Sequence, residues 1–214
     1  MKAVVCGTGS SVPACVWNND DLSRMVDTND EWIRERTGII TRHIAKEETC
    51  VSMASEAARR ALAQAGIPAE EVDLLIVSTI SSNIVLPCTA CEVQKEIGAV
   101  NAVAYDLSAA CTGFVMAYQS AQSFLQAGIY RTALLIGSEC LSNLVNWKDR
   151  GTCILFGDGA GAVFLEADEK SRYAHSFRRG EGQGPHLQQQ KSKAVCGTSG
   201  CTGNLHGDGW QRGI

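Results

Sequence analysis

The stretch Asp106-Leu-Ser-Ala-Ala-Cys-Thr-Gly-Phe114 places one cysteine where an apolar run ends and a helical pattern begins. Residues 102–107 predict a short strand, and residues 112–127 carry apolar side chains at helical spacing. Cys111 is therefore predicted at the N-terminus of a helix. Unpaired backbone N–H groups and the positive end of the helix dipole favour a thiolate there, and the thiolate is the nucleophilic form of cysteine.

Two interpretations of Cys111 follow from its neighbours. Ala109, Ala110 and Gly113 are small enough to let a substrate carbonyl approach the sulfur, as in a strand-to-helix nucleophile turn. Alternatively, Cys111 fills a tight joint between strand and helix, because free cysteine is among the residue types most often buried. The local pattern leaves catalysis and packing both open.

The composition is that of a folded globular protein and excludes several classes. The chain has 214 residues, of which 45% are hydrophobic and 20% charged, enough for one large domain or a pair of lobes. A net charge of −4 argues against a nucleic-acid partner. The start of the chain enters a strand without a secretory signal pattern, and no apolar run is long enough to span a bilayer. We therefore expect no membrane partner and a cytoplasmic location.

Strand and helix patterns alternate along the chain, which predicts a layered α/β architecture. Strands are predicted at 2–6, 72–78, 102–107 and 132–137, and helices at 19–26, 30–36, 51–65 and 112–127. The continuous apolar runs at 72–78 and 132–137 are typical of buried parallel strands. Two further strands are predicted at 153–156 and 162–166, joined by a glycine hairpin at 157–161. We favour a hairpin over a phosphate loop because a strand, not a helix, follows the glycines.

The ten cysteines are scattered through predicted strands and helices, as expected for free thiols in a reducing compartment. The pair Cys88 and Cys91, together with Cys196 and Cys201, could supply four thiolates to zinc. However, residues 88–97 resemble the opening of an amphipathic helix, in which the first two thiols simply pack. We therefore expect no metal site.

The last part of the chain differs in composition from the rest. Nine of the 21 glycines lie in residues 180–214, with almost no apolar periodicity. We predict a domain at 1–168 and an irregular, glycine-rich tail at 169–214, which a truncation or a frameshift would explain.

Six motifs in a fixed order carry a family resemblance. They are Gly7-Thr-Gly-Ser10 with Pro13, Val26-Asp-Thr-Asn-Asp-Glu-Trp-Ile33, Arg36-Thr-Gly-Ile39, Ser108-Ala-Ala-Cys-Thr-Gly-Phe114, Asp149-Arg-Gly-Thr152 and Phe156-Gly-Asp-Gly-Ala-Gly-Ala162. From residue 1 to about 168 the chain resembles the N-terminal half of a β-ketoacyl-acyl-carrier-protein synthase III. This is a condensing enzyme of fatty-acid biosynthesis, and the resemblance implies the first half of a thiolase-like layered α/β fold.

The resemblance implies a two-stage acyltransferase reaction. Cys111 would accept the acyl group of acyl-CoA, and malonyl-acyl carrier protein would then lose carbon dioxide and attack that group. Acyl-CoA would be a substrate, with no permanently bound cofactor. The complete enzyme would be a homodimer.

The resemblance also assigns binding residues. Trp32 and Arg150 match a pair that sandwiches the adenine of CoA, and Thr28 and Arg36 match polar contacts near the nucleotide end. An indole and a guanidinium plane suit a flat base. Alternatively, Trp32 is a packed aromatic and the arginines are solvated or paired with the adjacent Glu35 and Asp149.

Leu86 matches a position whose side chain enters the acyl pocket of the partner subunit, where its size would limit chain length. Alternatively, it is an ordinary loop leucine.

A complete family member also carries a His-Gln-Ala-Asn-type segment and a later Asn, which stabilise the enolate formed on decarboxylation. The four histidines here, His43, His175, His186 and His206, lie in no such segment, and we expect them to be solvated or packed. The chain is thus expected to be the nucleophile-bearing half, with apolar surface exposed where a second half would pack. A split or noncatalytic subunit and a polyketide-type condensing enzyme are the alternatives.

Overall fold

A computed structural model describes residues 2–168, and the predicted irregular tail at 169–214 lies outside this part. The strands are β1 (Lys2–Ser11), β2 (Val16–Asn18), β3 (Thr41–His43), β4 (Leu74–Ser78), β5 (Val103–Leu107), β6 (Thr132–Cys140) and β7 (Asp158–Asp168). The helices are α1 (Asn19–Ser23), α2 (Asp30–Thr37), α3 (Cys50–Ala65), α4 (Thr89–Ile97), α5 (Gly113–Gln126) and α6 (Arg150–Cys153).

Five strands form a central mixed sheet in the order β1-β7-β6-β4-β5. β4 pairs in parallel with both β5 and β6, which confirms the parallel type predicted for the two continuous apolar runs. β7 is antiparallel to β6 and to β1, and β2 and β3 form a separate two-stranded sheet. The predicted α/β architecture is therefore confirmed.

Side-chain alternation along β4 divides the core into two layers. Leu75 and Val77 pack with α3 and α4 on one face of the sheet, whereas Leu74 and Ile76 pack with α5 on the other. All five residues of β4 are buried, as expected for a central strand covered by helices on both faces. The sheet is thus the middle layer between two layers of helices.

The ends of α3 show why this segment is helical. The hydroxyl of Thr49 accepts a hydrogen bond from the N–H of Ser52, whose side chain accepts one from the N–H of Thr49, forming a capping box. The helix ends at Gly66, which has a left-handed conformation with φ of +70°. The predicted apolar face is confirmed, since its members are all buried: Met53, Ala57, Ala61 and Leu62.

β1 extends five residues beyond its predicted end. Residues 7–11 pair with residues 160–164 of β7, after a register shift between Val5 and Gly7. Gly7 and Gly9 interrupt the apolar pattern, but they let the backbone of α3 approach the strand. A Cβ atom on Gly9 would lie 2.6 Å from the Ala61 nitrogen and even closer to the Ala57 oxygen.

The predicted glycine hairpin at 157–161 is wrong. Residues 150–153 form α6 instead of entering a strand, and β7 runs unbroken from Asp158 through the glycines. Gly161 pairs with Gly137 of β6 on one side and Ser10 of β1 on the other. Backbone hydrogen bonds to β1 and β6 hold this glycine-rich segment as a strand, although glycine has a low intrinsic preference for strands.

A third cluster joins the small elements around β2 and β3. Leu22 of α1, Ile33 of α2 and Ile154 after α6 are buried together. The buried Arg42 guanidinium lies beside them, with Nη2 2.7 Å from Oδ1 of Asn19, and burial lowers the pKa of Arg42. This cluster fixes α2 against the C-terminal end of α6.

Several large apolar side chains of the sheet and of α5 are exposed. Examples are Val5 on β1, Val103 on the edge strand β5, and Val115 and Met116 on α5. Contiguous exposed apolar surface usually marks an interface. Over residues 2–168, no helix combines the length and apolar character required to cross a lipid bilayer.

We predict that Gly9→Ala destabilises the protein, because the added methyl group collides with the α3 backbone. The expected loss in free energy of unfolding is about 1–3 kcal/mol, the usual cost of overpacking. Urea denaturation measures it. Gly161→Ala is the matched control, since an added Cβ there has no neighbour within 4 Å. Equal stability of the two variants would contradict the close approach of α3 to β1.

Candidate active site

Cys111 lies in a single 3-10 turn, Ala110–Thr112, that leads directly into α5. Its side chain is exposed. β5 ends at Leu107, so the turn follows a strand and precedes a helix as the sequence predicts. The interpretation of Cys111 as a buried packing residue is therefore wrong.

The backbone immediately before Cys111 is strained. Ala110 has a φ of +45°, in the left-handed region that L-residues other than glycine enter at a cost of about 1–2 kcal/mol. Thr112 secures the turn, because its N–H and its hydroxyl both donate to the Ala109 carbonyl, at 3.2 and 2.9 Å. Such strain at an exposed thiol is typical of functional turns.

Gly113 has a different role from the one expected. The sequence suggests that it leaves room for a substrate, but a Cβ at this position would collide with the hydroxyl of Ser78. Gly113 is buried, and its small size lets α5 begin directly against the end of β4. Of the three small residues, Ala110 is the exposed one beside Cys111.

The buried thiols contrast with Cys111. Burial, reinforced by Cys50 and nearby carboxylates, raises the pKa of Cys140 to about 12. Burial also raises the pKa values of Cys50 and Cys153. These three thiols stay protonated near neutral pH and are therefore poor nucleophiles.

The predicted nucleotide-binding residues are brought together on α2 and α6. The guanidinium carbon of Arg36 lies 4.3 Å from the centre of the Trp32 ring, and that of Arg150 lies 4.7 Å from it. Trp32 also packs at the edge of the third cluster, which fixes the indole. Distances of this size correspond to cation–π contacts.

Arg150 does not pair with the adjacent Asp149, as one alternative proposed. Its Nη1 donates to the carbonyl oxygen of Asp27 at 2.8 Å and lies 3.7 Å from the carboxylate of the same residue. Asp149 instead caps α6, and hydrogen bonds from Thr152 and the N–H of Gly151 lower its pKa. The cap leaves Arg150 directed towards Trp32.

Thr28, between Asp27 and α2, carries a buried hydroxyl oxygen with no hydrogen-bond partner among residues 2–168. A buried polar atom of this kind costs about 1–3 kcal/mol unless a partner arrives. A bound ligand would satisfy it.

Leu86 lies in the loop between β4 and α4, and 87% of it is exposed. The Leu86–Pro87 peptide bond is cis. The exposure agrees with a side chain that is free to reach another subunit, and equally with an ordinary loop leucine. Both interpretations remain predictions.

Asp106 is a structural residue at the site that the sequence analysis did not identify. Its carboxylate accepts hydrogen bonds from the N–H groups of Thr89 and Ala90, at 2.9 and 2.7 Å. It therefore holds the N-terminus of α4 against β5, five residues before Cys111. A carboxylate at a strand end is a weak signal, because the helix that it caps is distant in the sequence.

Glu139 was also missed. At the end of β6, its carboxylate accepts hydrogen bonds from the Thr79 hydroxyl at 3.2 Å, the Ile80 N–H at 3.1 Å and the Ser81 hydroxyl. These bonds fix the start of the loop that leads to Leu86. The sequence Gly137-Ser-Glu139 places an acid at a strand end, but its partners lie about sixty residues away.

His43 is held by a hydrogen bond between Nδ1 and the Pro13 carbonyl oxygen, at 2.6 Å. This agrees with the expectation that it is a packed histidine. The other three histidines lie outside the described residues.

The Sγ atoms of Cys88 and Cys91 are 3.3 Å apart. The hydrogen bond to Cys88, followed by burial, raises the pKa of Cys91. Within residues 2–168, no cluster of three or more metal-ligating side chains occurs, and Cys196 and Cys201 lie outside this range. The structure thus places two of the four proposed zinc-binding thiols side by side. The zinc hypothesis stays untested for Cys196 and Cys201.

Sequence comparison relates the chain to condensing enzymes. The family model of 3-oxoacyl-[acyl-carrier-protein] synthase III matches residues 105–181. The β-ketoacyl-[acyl-carrier-protein] synthase III of Clostridium botulinum strain 657 is 50% identical over 184 residues, which is 86% of this chain and 56% of that protein. The Desulfitobacterium hafniense Y51 enzyme is 54% identical over 167 residues, which is 78% of this chain and 50% of that protein.

The chain is homologous to β-ketoacyl-[acyl-carrier-protein] synthase III. It spans about half the length of the synthases it matches. The crystal structure of the synthase III from Aquifex aeolicus VF5 superposes with a TM-score of 0.77 at 48% identity, covering 78% of this chain and 54% of that one. The priming β-ketosynthase of the R1128 polyketide pathway superposes with a TM-score of 0.76 at 38% identity, covering 78% and 50%. The thiolase-like fold inferred from the motifs is confirmed.

We predict that iodoacetamide modifies Cys111 of the native protein well before Cys140. The difference in rate should be at least about 100-fold, since one thiol is exposed and the other is buried with a raised pKa. Peptide mass spectrometry after timed quenching measures both rates. In urea the two rates should converge, and similar native rates would contradict the burial of Cys140.

Proposed function

We propose that Cys111 is the nucleophile of a synthase III-type acyl transfer from acyl-CoA. The observation that carries this proposal is the exposed thiol in the strained turn at the start of α5. The homology to synthase III enzymes supports it. In this proposal the chain supplies the acyl-CoA-binding part of an enzyme of fatty-acid biosynthesis.

In the first stage, the Cys111 thiolate attacks the thioester carbonyl carbon of acyl-CoA. A carbon–sulfur bond forms to Cys111, the bond to the CoA sulfur breaks, and CoA leaves as a thiolate that takes up a proton. The turn that carries Cys111 leads directly into α5 and leaves the thiol exposed to an incoming thioester. The acyl group is then held as a thioester on the protein.

The nucleotide end of CoA would bind between Trp32 and Arg150. Stacking an aromatic base between two planes needs a separation of about 7 Å, twice a van der Waals contact of about 3.5 Å. The guanidinium carbon now lies 4.7 Å from the ring centre, so Arg150 must move outward to admit adenine. This movement breaks two exposed contacts, the hydrogen bond to the Asp27 carbonyl oxygen and the long pairing with the Asp27 carboxylate, and contacts of this kind are individually weak at a surface.

Two further residues would contact the nucleotide. The buried Thr28 hydroxyl would gain the partner that it lacks among the described residues. Arg36, also stacked on Trp32, is exposed and would attract the phosphate groups. No permanently bound cofactor is needed for this stage.

In the second stage, malonyl-acyl carrier protein loses carbon dioxide and its carbanion attacks the acyl thioester, giving a β-ketoacyl-carrier protein and freeing Cys111. The family resemblance assigns stabilisation of the enolate to a His and an Asn of a second half. The histidine among the described residues, His43, is engaged with Pro13. We therefore expect residues 2–168 to support acyl transfer to Cys111, but not the condensation with malonyl-acyl carrier protein.

The exposed apolar side chains of β1 and α5 would be covered by such a second half. In the complete enzyme, a homodimer, Leu86 of one subunit would enter the acyl pocket of the other. A separately encoded second half, making this chain a split subunit, would use the same apolar surface.

A polyketide-type condensing enzyme is the second candidate. The R1128 priming β-ketosynthase favours it, since its structure superposes almost as well as that of the Aquifex aeolicus enzyme. The first stage would be identical, and the acyl primer would distinguish the two functions.

Incubation with acetyl-CoA tests the nucleophile. We expect an acetyl group, adding about 42 Da, on the tryptic peptide 96–131, in which Cys111 is the single cysteine. Cys111→Ser should lose the thioester, and Cys15→Ser should retain it. Acetylation of other cysteines with none on Cys111 would refute the assignment.

Replacing the stacking residues tests the nucleotide site. Trp32→Ala and Arg150→Ala should each weaken CoA binding about tenfold, as expected for a lost cation–π or stacking contact of 1–2 kcal/mol. Isothermal titration calorimetry measures the dissociation constants. Arg34→Ala is the charge-matched control, because Arg34 pairs with Asp30 at 2.8 Å, whereas the guanidinium groups over the Trp32 ring, among residues 2–168, are those of Arg36 and Arg150. Equal effects of Arg150→Ala and Arg34→Ala would indicate only a general loss of positive charge.

A further inference from the structure

The thiols of Cys88 and Cys91 form a pair at the start of α4. Cys88 is the residue before the first turn of the helix and Cys91 lies within that turn, so their side chains meet on one side. Their sulfur atoms are hydrogen-bonded at 3.3 Å, and both residues are partly exposed. A disulfide bond is about 2.05 Å long, so closure requires the sulfurs to approach by roughly 1.3 Å.

We propose that Cys88 and Cys91 are a disulfide-forming site that is oxidised by small-molecule disulfides. The site is separate from Cys111 and does not depend on the proposed acyl transfer. The proposed reaction uses only the two thiols of the Cys-x-x-Cys motif.

The reaction is a thiol–disulfide exchange in two steps. One thiolate attacks a sulfur of the small disulfide, forming a mixed disulfide and releasing one thiol molecule. The second cysteine then attacks the protein sulfur of the mixed disulfide and releases the second thiol molecule. In total, two protein thiols are oxidised to one disulfide while one small disulfide is reduced to two thiols.

The surroundings hold the two cysteines in place for the second step. The Asp106 carboxylate binds the N–H groups of Thr89 and Ala90, the two residues between them. The hydroxyl of Thr89 also donates to that of Ser82, at 2.7 Å. Because this backbone is already ordered, ring closure costs little conformational entropy, and the mixed disulfide should be short-lived.

The cross-link would join the end of the Leu86 loop to the first turn of α4. Cys88 follows Pro87 directly, so a disulfide to Cys91 fixes the point at which the loop enters the helix. Cys50, in contrast, is buried and directs its thiol to the hydroxyl groups of Ser138 and Thr79.

Trypsin separates the relevant thiols and makes the test direct. Peptide 61–95 contains Cys88 and Cys91 and no other cysteine, whereas peptide 96–131 contains Cys111 alone. The reduced 214-residue chain is incubated with oxidised glutathione, its remaining thiols are blocked with iodoacetamide, and it is digested without reduction. We expect peptide 61–95 to lose two hydrogens, about 2 Da, without an adduct, while peptide 96–131 carries glutathione.

Single substitutions provide the controls. Cys88→Ser keeps the helix start, because serine is a favourable residue before a helix, and Cys91→Ser removes the other thiol. Each variant should lose the internal disulfide and carry glutathione on the remaining cysteine, whereas Cys15→Ser should retain the disulfide. Circular dichroism checks that the variants are folded.

Two results would overturn the proposal. The first is a wild-type peptide 61–95 that carries glutathione adducts and no internal disulfide. The second is a peptide 61–95 in which iodoacetamide alkylates both Cys88 and Cys91, after incubation with oxidised glutathione at a concentration that modifies Cys111. Either result is independent of acetyl transfer to Cys111, so the two proposals can fail separately.

Discussion

The parallel pairing of β4 with β5 and β6 is the constraint on which the rest of the site depends. Ser78 pairs with Leu107 on one side and Gly137 on the other, so the three strands reach the same edge of the sheet in register. The segments that follow them therefore emerge together, as is usual at the carboxyl ends of parallel strands. They carry the Cys111 turn and the Leu86 loop, and the Glu139 carboxylate near the end of β6 fixes the start of that loop.

Environment separates the cysteines of this edge into chemically different groups. Cys140 ends β6 within the core, where burial holds its thiol in the protonated form. Cys111, two residues before α5, faces solvent from a strained turn. Cys88 and Cys91 face each other instead. The same side chain thus serves as packing, as a proposed nucleophile and as a proposed redox pair according to its burial and its neighbours.

Local patterns predicted the elements, and long-range contacts decided their details. The alternation of strands and helices, the apolar face of α3 and the turn at Cys111 were all predictable, because each depends on residues close in sequence. The hairpin at 157–161 was wrong because pairing with two distant strands outweighs the turn preference of glycine. Similarly, Gly113 suggested open space, but Ser78 occupies it, and the partners of Asp106 lie on another helix. The pairing of Arg150 with Asp27 spans more than a hundred residues and has no local signature.

The Arg150 guanidinium covers the Trp32 ring, on which adenine would stack in the proposed CoA site, so this side chain competes with the ligand. While the guanidinium covers the indole, the slot for a base is shut, and the apparent affinity falls in proportion to the time it spends closed. A ligand with a flat aromatic head group restores a stacked partner to both side chains, whereas a bare pantetheine thioester restores neither. In the proposed site, closure therefore penalises the complete carrier alone, because a fragment without a base binds without opening the slot.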